Sequence, residues 1–508
     1  MANVIKSYAK DHGGRVSLLL LLFLLAIYEF VTMGFNAFAI VCLLPVIVLI
    51  VIATFRRGMV AFWALIVINY LIQAKWLSLP VPTSVPNELL ELLLIALALI
   101  DVQNSPFRRA GNIMFFALIL WTGLCTLEVL NDTCGIGIDV AAWYSTARMI
   151  GYQLLYIFLV FTIYINTPNR LAKYLIVWGA LALFASFWVW KQVNIGFTPA
   201  ENQWLQTRGR STHIIAGGTL IRYFSIYSDA ANFGIGIAST AVAFIIFGIS
   251  AKIRKHKIFF LITGLACVYA MFQSGTRTAI ACLMAGFMLY IVLSKSFKIA
   301  IPFTVFFVLF VMMLAFTTIG NSNQQIRRMR SAFDKNDASA AQRSVNQEAM
   351  KKYLAEAPWG IGMGIGYGNA PANNKYTFMA TIPPDSEYVF IWIHTGIIGI
   401  TVFLVSMALM LIGACWIVFF KLRSPSLRGV GAGFCCAFAA QQLGGYGNQV
   451  LLQFPNCLVF FGGLAIVYVL PYLENDWIKY EEEQLAIEAE KKRLKLEKKK
   501  AARVKGMF

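Results

Sequence analysis

Apolar runs of about 20 residues, repeated along most of the chain, constrain this sequence more than any other feature. A lipid bilayer offers no water to backbone N–H and C=O groups, so a run of this length crosses it as a helix. Of the 508 residues, 59% are hydrophobic and only 13% are charged, whereas soluble domains carry about 25% charged residues. The sequence therefore excludes a soluble multi-domain protein and predicts an all-α fold, a polytopic membrane helix bundle.

The apolar runs predict about 14 spans, each close to the length that a helix needs to cross roughly 30 Å of hydrocarbon. The spans fall at residues 17–34, 37–54, 59–77, 87–103, 113–130, 146–165, 174–191, 231–250, 258–273, 278–294, 299–318, 400–420, 429–446 and 456–473. No small-residue cleavage site follows the first run, which we interpret as a retained span rather than a signal peptide. Most lysines and arginines lie in alternate short connections and in the tail, so the positive-inside rule predicts that both termini are cytoplasmic.

The remaining positive charges gather on the opposite side of the predicted membrane. They lie before span 8, in the turn SGTRTA and in the loop 319–386. Arg277 occupies a short turn between two apolar helices, where a cation is costly without a partner. Hydroxyl side chains flank it and Arg222, and guanidinium groups with hydroxyls suit the oxygens of a pyrophosphate. We therefore predict an anion site formed by Arg222, Arg277 and Ser274, and interpret four other cations as solvated charges: Arg208, Arg210, Lys351 and Lys352.

The loop 319–386 is the longest polar interruption of the chain. Its pattern predicts an amphipathic helix over residues 340–356, ended by Pro358, which lies across the mouth of the bundle as a lid with Arg343 toward the pocket. Glycines then alternate from residue 360 to 368. This spacing does not match G-x-G-x-x-G, so nucleotide binding is unsupported. Two interpretations stay open: close backbone packing in a tight turn, or a backbone that a substrate approaches.

Acids and a histidine follow the glycines, at Asp385, Glu387 and His394. Asp385 and His394 are nine residues apart, which on a continuous helix puts them about half a turn out of phase. We predict that Asp385 stands at the pocket rim beside Tyr388 as the catalytic base, and that His394 is buried and structural. His394 remains the alternative base, and His213 is interpreted as a loop residue.

These residues resemble the O-antigen ligase and O-antigen polymerase superfamily, which includes bacterial O-linked oligosaccharyltransferases. The resemblance covers about residues 222–400. It rests on four stretches: Arg222 to Asn232, the turn from Ser274 to Ala279, Ser339 and Arg343 upstream of Pro358 to Gly364, and the short motif before Gly396 to Gly399.

The resemblance implies a multi-span enzyme of the bacterial inner membrane with a large helical periplasmic loop. Its donor is a glycan on undecaprenyl pyrophosphate, which passes to an acceptor hydroxyl of lipid A core or another glycan; membrane lipid surrounds the site, and no cofactor is implied. The two arginines that hold the pyrophosphate in the family match Arg222 and Arg277. The family's His-Asn-x-Tyr motif reads Asp385-Ser386-Glu387-Tyr388 here, so an aspartate stands at the position of the family's histidine base.

We predict three regions: membrane helices and an outer loop over 1–230, a ligase-like core over 231–473 that contains the loop 319–386, and a basic cytoplasmic tail over 474–508. The cysteines show no metal-ligand spacing, and no metal or nucleic-acid partner is expected. A lipid-linked oligosaccharide flippase is the alternative outside the transferases, but the chain shows no internal repeat and its polar groups gather on one side. Among ligase, polymerase and protein oligosaccharyltransferase we favour the ligase.

Overall fold

The computed structural model describes Leu21 and residues 58–77, 83–215, 220–319, 324–330, 338–365, 374–381 and 385–505. The chain divides into two compact units, Met1–Ala64 and Leu65–Phe508, and the architecture below is that of the second. The described residues are mostly helical, and seven of their helices are long and apolar enough to cross a membrane. This confirms a polytopic helical membrane protein but not the count of 14 spans. Apart from Leu21, the predicted spans 17–34 and 37–54 lie outside the described residues.

The helices of the first half range from four to 27 residues in length, and a π-helical turn, Arg148–Tyr152, joins two of them. They are α1 Met59–Leu71, α2 Ser84–Ile100, α3 Ile113–Leu127, α4 Val140–Ala147, α5 Gln153–Tyr164, α6 Pro168–Asn194, α7 Pro199–Thr207 and α8 Arg210–His213. Short 3₁₀ segments lie at Phe107–Ala110 and Glu128–Leu130. Strands β1 Ile214–Ile215 and β2 Leu220–Ile221 pair antiparallel.

The second half contains the two longest helices, α16 and α18. Its helices are α9 Ala230–Ser250, α10 Arg254–Gln273, α11 Arg277–Leu293, α12 Phe297–Phe316, α13 Gln324–Arg330, α14 Ala338–Leu354, α15 Thr377–Thr381, α16 Glu387–Trp416, α17 Pro425–Gly447 and α18 Asn456–Lys505. A π-helical turn, Ile417–Lys421, extends α16. The predicted span 400–420 starts too late, because the polar residues at the beginning of α16 weaken the hydropathy signal while the helix itself continues.

Helix α9 is the centre of the bundle. Its sequence is apolar on all sides, as in helices that neighbours cover completely, and almost every residue is buried. Small residues occur throughout it, which lets neighbouring helix backbones approach closely. Helices α10, α11 and α17 pack around it. The N-terminal end of α9 is therefore fixed in position by the core of the protein.

Helix α16 breaks at Gly396, whose backbone has φ 62° and ψ −165°. Because of the break, the last carbonyl groups of the first half of α16 have no N–H partners in the next turn of the helix. Backbone N–H groups of the glycine run replace those partners. The N–H of Ile361 donates to the carbonyl of Ile393 at 2.9 Å, and that of Gly362 donates to the carbonyl of His394 at 3.1 Å. Two stretches of chain thus pair through their backbones at the break.

This close approach requires Gly360 and Gly364, whereas Gly366 and Gly368 of the alternating run lie outside the described residues. A Cβ atom on Gly360 would lie 2.5 Å from the backbone nitrogen of Gly396, and Gly360 itself has φ 76°. Gly364, at φ 97°, packs equally closely against the backbone of Ala142. Of the two interpretations offered by the sequence, the structure supports close backbone packing.

The predicted loop helix is α14, and it packs by one end only. Met350 and Leu354 are buried in a cluster that includes Val389 and Ile393 of α16. Val345, which the amphipathic pattern placed on the same apolar face, is 63% exposed. That part of the prediction is wrong, because the contact with α16 involves the C-terminal turns of α14 and Val345 lies before them.

We predict that Gly396→Ala destabilises the protein by about 1–3 kcal/mol or more, the usual cost of forcing a non-glycine residue into the left-handed region. The added Cβ atom would also overlap the carbonyl oxygen of Pro358. Gly123→Ala is the matched control, because a Cβ atom there meets no other atom within 4 Å. Thermal unfolding in detergent measures both variants, and equal melting temperatures would contradict the role assigned to the break.

Candidate active site

The N-terminal end of α9 is capped by two side chains. The Oδ1 atom of Asp229 accepts hydrogen bonds from the backbone N–H groups of Ala231 at 2.7 Å and Asn232 at 2.9 Å. The Nε2 atom of His213 accepts a third from the N–H of Ala230 at 3.0 Å. The first N–H groups of a helix have no partner within it, and here they are satisfied although the helix end is buried.

His213 is a structural residue and not the loop residue that the sequence indicated. It ends α8 and is 2% exposed. Because its Nε2 atom accepts, its Nδ1 atom carries the proton, and Thr212 Oγ1 and the carbonyl of Gly209 lie 2.7 and 3.2 Å from it. Burial, together with the charge of Arg222, lowers the pKa of His213 to about 4, and the charge of Asp229 opposes this shift. The ring is therefore neutral at physiological pH.

Arg222 lies against the turn that contains Arg277. One terminal nitrogen donates to the carbonyl of Thr212 at 3.0 Å, and the other to Thr276 Oγ1 at 3.1 Å. Burial lowers the pKa of Arg222, Asp229 opposes this, and the like charge of Arg277 lowers it further. The Nε–H group of Arg222 is buried and has no hydrogen-bond partner among the described residues. The structure thus brings the two arginines together and leaves a donor for a bound acceptor.

Ser274 shapes the turn from within. Its hydroxyl donates to the carbonyl of Met271 at 2.7 Å and accepts from the N–H of Thr276 at 3.1 Å, and the residue is fully buried. Thr276 donates its own hydroxyl to the carbonyl of Ala230 at 2.8 Å, which ties the turn to the start of α9. Ser274 is thereby occupied in holding the turn, and Thr276 is the hydroxyl that contacts Arg222.

Two further cations lie near this site. Lys75 donates to the carbonyl of Ser228 at 2.7 Å and its Nζ atom lies 4.1 Å from the ring centroid of Trp204. Burial lowers the pKa of Lys75 to about 8, while Asp229 raises it. Arg328 of α13 donates to the carbonyl of Gly275 at 2.6 Å. From the sequence, Lys75 is a charge at the end of a predicted span and Arg328 is a charge in the loop 319–386. No motif or spacing within the chain connects either residue to Arg222.

The start of α16 docks on the C-terminal end of α17. Ser386 donates its hydroxyl to the carbonyl of Gly445 at 3.0 Å, and Tyr388 donates its own to the carbonyl of Gln442 at 2.8 Å. Glu387 is 3% exposed, and its Oε2 atom accepts from the N–H of Leu451 at 3.0 Å. These bonds fix Ser386, Glu387 and Tyr388 in place.

Asp385, one residue earlier, is exposed. The next residue, Ser386, contacts Gly445 at the C-terminal end of α17. The arginine turn contacts the same end of α17, because Asn448 donates to Thr278 Oγ1 at 3.3 Å. The turn that holds Arg277 and the segment that holds Asp385 therefore meet the chain between Gln442 and Leu451 from two sides.

His394 lies deeper in the protein and is occupied. It is 5% exposed, and its Nδ1 atom is 3.1 Å from the carbonyl of Gly362. Its ring meets that of Phe390 edge to face at 4.5 Å between centroids. These contacts fit the structural role expected for it. The backbone of Arg343 belongs to α14, but its side chain, and so the predicted orientation toward the pocket, lies outside the described residues.

Comparison with protein families finds one match: residues 261–404 fit the family described as O-Antigen ligase. The matched segment runs from α10 through the arginine turn, the loop helices and the glycine run into α16. The resemblance to the O-antigen ligase superfamily is thereby confirmed over this segment, and the seven long apolar helices indicate a membrane protein. No curated protein matches the chain.

We predict that acid destabilises the protein through His213. The folded-state pKa of about 4 lies below the ordinary value near 6.5, so the unfolded chain binds more protons between these values. The contribution of neutral His213 is fully present above about pH 6.5 and is lost as the pH falls toward 4, by at most about 3 kcal/mol. Unfolding followed from pH 7 to pH 4 measures it. His213→Gln, which keeps an acceptor and does not titrate, should show a flatter curve; parallel curves would contradict the assignment.

Proposed function

Starting from a segment, residues 261–404, that belongs to the O-antigen ligase superfamily, we propose that the protein moves a glycan from undecaprenyl pyrophosphate to an acceptor hydroxyl at the periplasmic face. One observation carries the proposal: Arg222 is bonded to Thr276 beside Arg277 and keeps a buried N–H group that no described residue accepts. An anion with several oxygens, such as a pyrophosphate, suits this arrangement. Lys75 and Arg328 add positive charge nearby.

The charge pattern supports the periplasmic orientation. Helix α10 begins with Arg254, Lys255 and Lys257 and ends at the arginine turn. Basic residues favour the cytoplasmic side of a span, so the turn belongs to the opposite side. The basic end of α18 lies with the cytoplasmic connections by the same argument, and Glu481 of this helix pairs with Lys252 at 3.0 Å.

The reaction needs two groups from the protein. As the acceptor oxygen bonds to the anomeric carbon, the carbon–oxygen bond to the pyrophosphate breaks and its electron pair stays on the leaving pyrophosphate. The arginines neutralise the charge that grows there. The acceptor hydroxyl gives its proton to a carboxylate acting as general base. Asp385 is the proposed base, since it is exposed next to Ser386, which contacts the end of α17, whereas His394 is buried and bonded to the glycine run.

The acceptor class decides between ligase and polymerase. We propose lipid A core, and lipopolysaccharide from a deletion strain tests this directly. Loss of every attached chain supports the ligase, whereas a single attached repeat supports a polymerase. A flippase instead moves the intact lipid-linked glycan across vesicles without transferring it, which purified protein in liposomes distinguishes.

We predict that Arg222→Lys lowers glycan transfer about 100-fold, the typical loss on removal of one preorganised donor to developing charge. Lysine keeps the charge but loses the fork that reaches Thr276 and a phosphate oxygen together. The matched control is Arg210→Lys, because Arg210 is exposed and outside the site. A transfer assay on purified variants, normalised to folded protein, measures both; equal activity of the two would overturn the arginine site.

We predict that Asp385→Asn lowers transfer by about 10²- to 10⁴-fold, the usual contribution of a general base. Its folded yield and donor binding should stay unchanged, because the side chain is exposed. His394→Ala should instead reduce the yield of folded protein, since it removes the contact with Gly362, while each folded molecule retains most of its turnover. An active Asp385→Asn together with a folded but inactive His394→Ala would reverse the assignment of the base.

A further inference from the structure

An acidic cavity of about 110 Å³ lies between the segment that follows α3 and the glycine run. It opens beside the 3₁₀ turn Glu128–Leu130 and the start of α4. Its lining combines carboxylates, an amide, an indole ring and apolar side chains: Glu128, Val129, Asn131, Asp132, Ile136 and Trp143, with further residues from the same two segments. Neither the pyrophosphate site nor the proposed base includes any of them.

Glu128 is the unusual member of this set. It is only 3% exposed, and its Oε2 atom accepts a hydrogen bond from Asn131 at 2.7 Å. Its Oε1 atom is buried and has no hydrogen-bond partner among the described residues. An unsatisfied buried polar group costs free energy. This oxygen lies at the wall of the cavity, where a bound ligand with hydroxyl groups can form the missing hydrogen bond.

Two more carboxylates stand at the rim. The Oδ1 atom of Asp132 accepts a hydrogen bond from the N–H of Gly137 in the same loop at 2.9 Å. The Oδ1 atom of Asp139 caps α4 by accepting from the N–H of Ala142 at 3.0 Å. Among the described residues that line the cavity there is no lysine or arginine. Asp132 and Asp139 therefore give the rim the charge opposite to that of the arginine site, which disfavours an acidic ligand.

We propose that this cavity binds one neutral sugar residue of the glycan substrate, an inference that rests on the proposed function. A sugar ring presents several hydroxyl donors to the carboxylates and amide, and its apolar face matches the indole and isoleucine side chains beside them. The glycine run closes one side through Met363, Gly364 and Ile365.

Trp143 helps to hold the wall in place. Its indole nitrogen donates to the carbonyl of Cys125 at 2.9 Å, so the ring orientation is fixed by α3. Asn131 also donates to the carbonyl of Trp359 at 2.7 Å, which joins the two segments across the cavity. The wall is thus preorganised, which reduces the entropy that a ligand must lose on binding.

The test is saturation-transfer NMR on the purified full-length protein in detergent, without donor. Glucose and galactose are compared with glucuronic and galacturonic acids. The neutral sugars should give signals and the acids should not. Glu128→Gln, which exchanges one carboxyl oxygen for an amide NH₂ group, should weaken the neutral-sugar signal about tenfold, because it changes the hydrogen bonds that the buried side chain can make with a ligand.

Two variants make the result decisive. Asp132→Asn changes an exposed rim residue, keeps the fold and should admit the acidic sugars. Glu356→Gln, an exposed acid paired with Lys375 at 2.8 Å, is the matched control and should change nothing. Equal signals from neutral and acidic sugars, or an unchanged signal in folded Glu128→Gln, overturns the proposal. Because the assay involves no turnover, sugar binding without transfer activity would refute the proposed reaction alone.

Discussion

The buried N-terminal end of α9 is the constraint on which the site depends. A helix end in the interior of a membrane protein cannot use water for its first N–H groups, and leaving them unpaired costs free energy for each group. Asp229 and His213 supply the acceptors. To deliver His213, the chain must fold α8 and the short hairpin back over the helix end, and Arg222 follows directly on the returning strand. Arg222 is therefore positioned by the same segment that supplies a hydrogen-bond acceptor to the start of α9.

The break in α16 has a comparable effect on the other side of the site. Because Gly396 ends the regular hydrogen bonding, the first half of the helix is held by the glycine run and by α17 and not by its own continuation. Glu387 strengthens this attachment by accepting the N–H of Leu451. His394 becomes part of the junction, with its ring bonded to Gly362. Histidine is the residue whose ordinary pKa best suits proton transfer, but the ring of His394 is occupied in this junction.

Local signals predicted much of this molecule. Hydropathy predicted the helices α3, α9, α10 and α11. Amphipathic spacing and the proline at residue 358 predicted α14, because such signals arise within a few helical turns. The pairing of Arg222 with the turn of Arg277 was expected from charge placement alone. Lys75 and Arg328 were missed, since their proximity arises from contacts between distant segments. His213 was misassigned because a polar sequence with glycines indicates a loop whether or not a later helix end needs its ring.

In the proposed reaction, an aspartate stands at the position to which the resemblance assigns a histidine base. A free aspartate is a weak base, because its side-chain pKa is near 4. Proton removal by such a group contributes most when the acceptor hydroxyl has already become acidic through bonding to the anomeric carbon. That situation arises when the leaving group departs early, which strong neutralisation of the pyrophosphate favours. Arg222 and Arg277, with Lys75 and Arg328 nearby, supply this neutralisation in the proposed reaction. In this proposal, the positive charge of the site compensates for the weakness of the base.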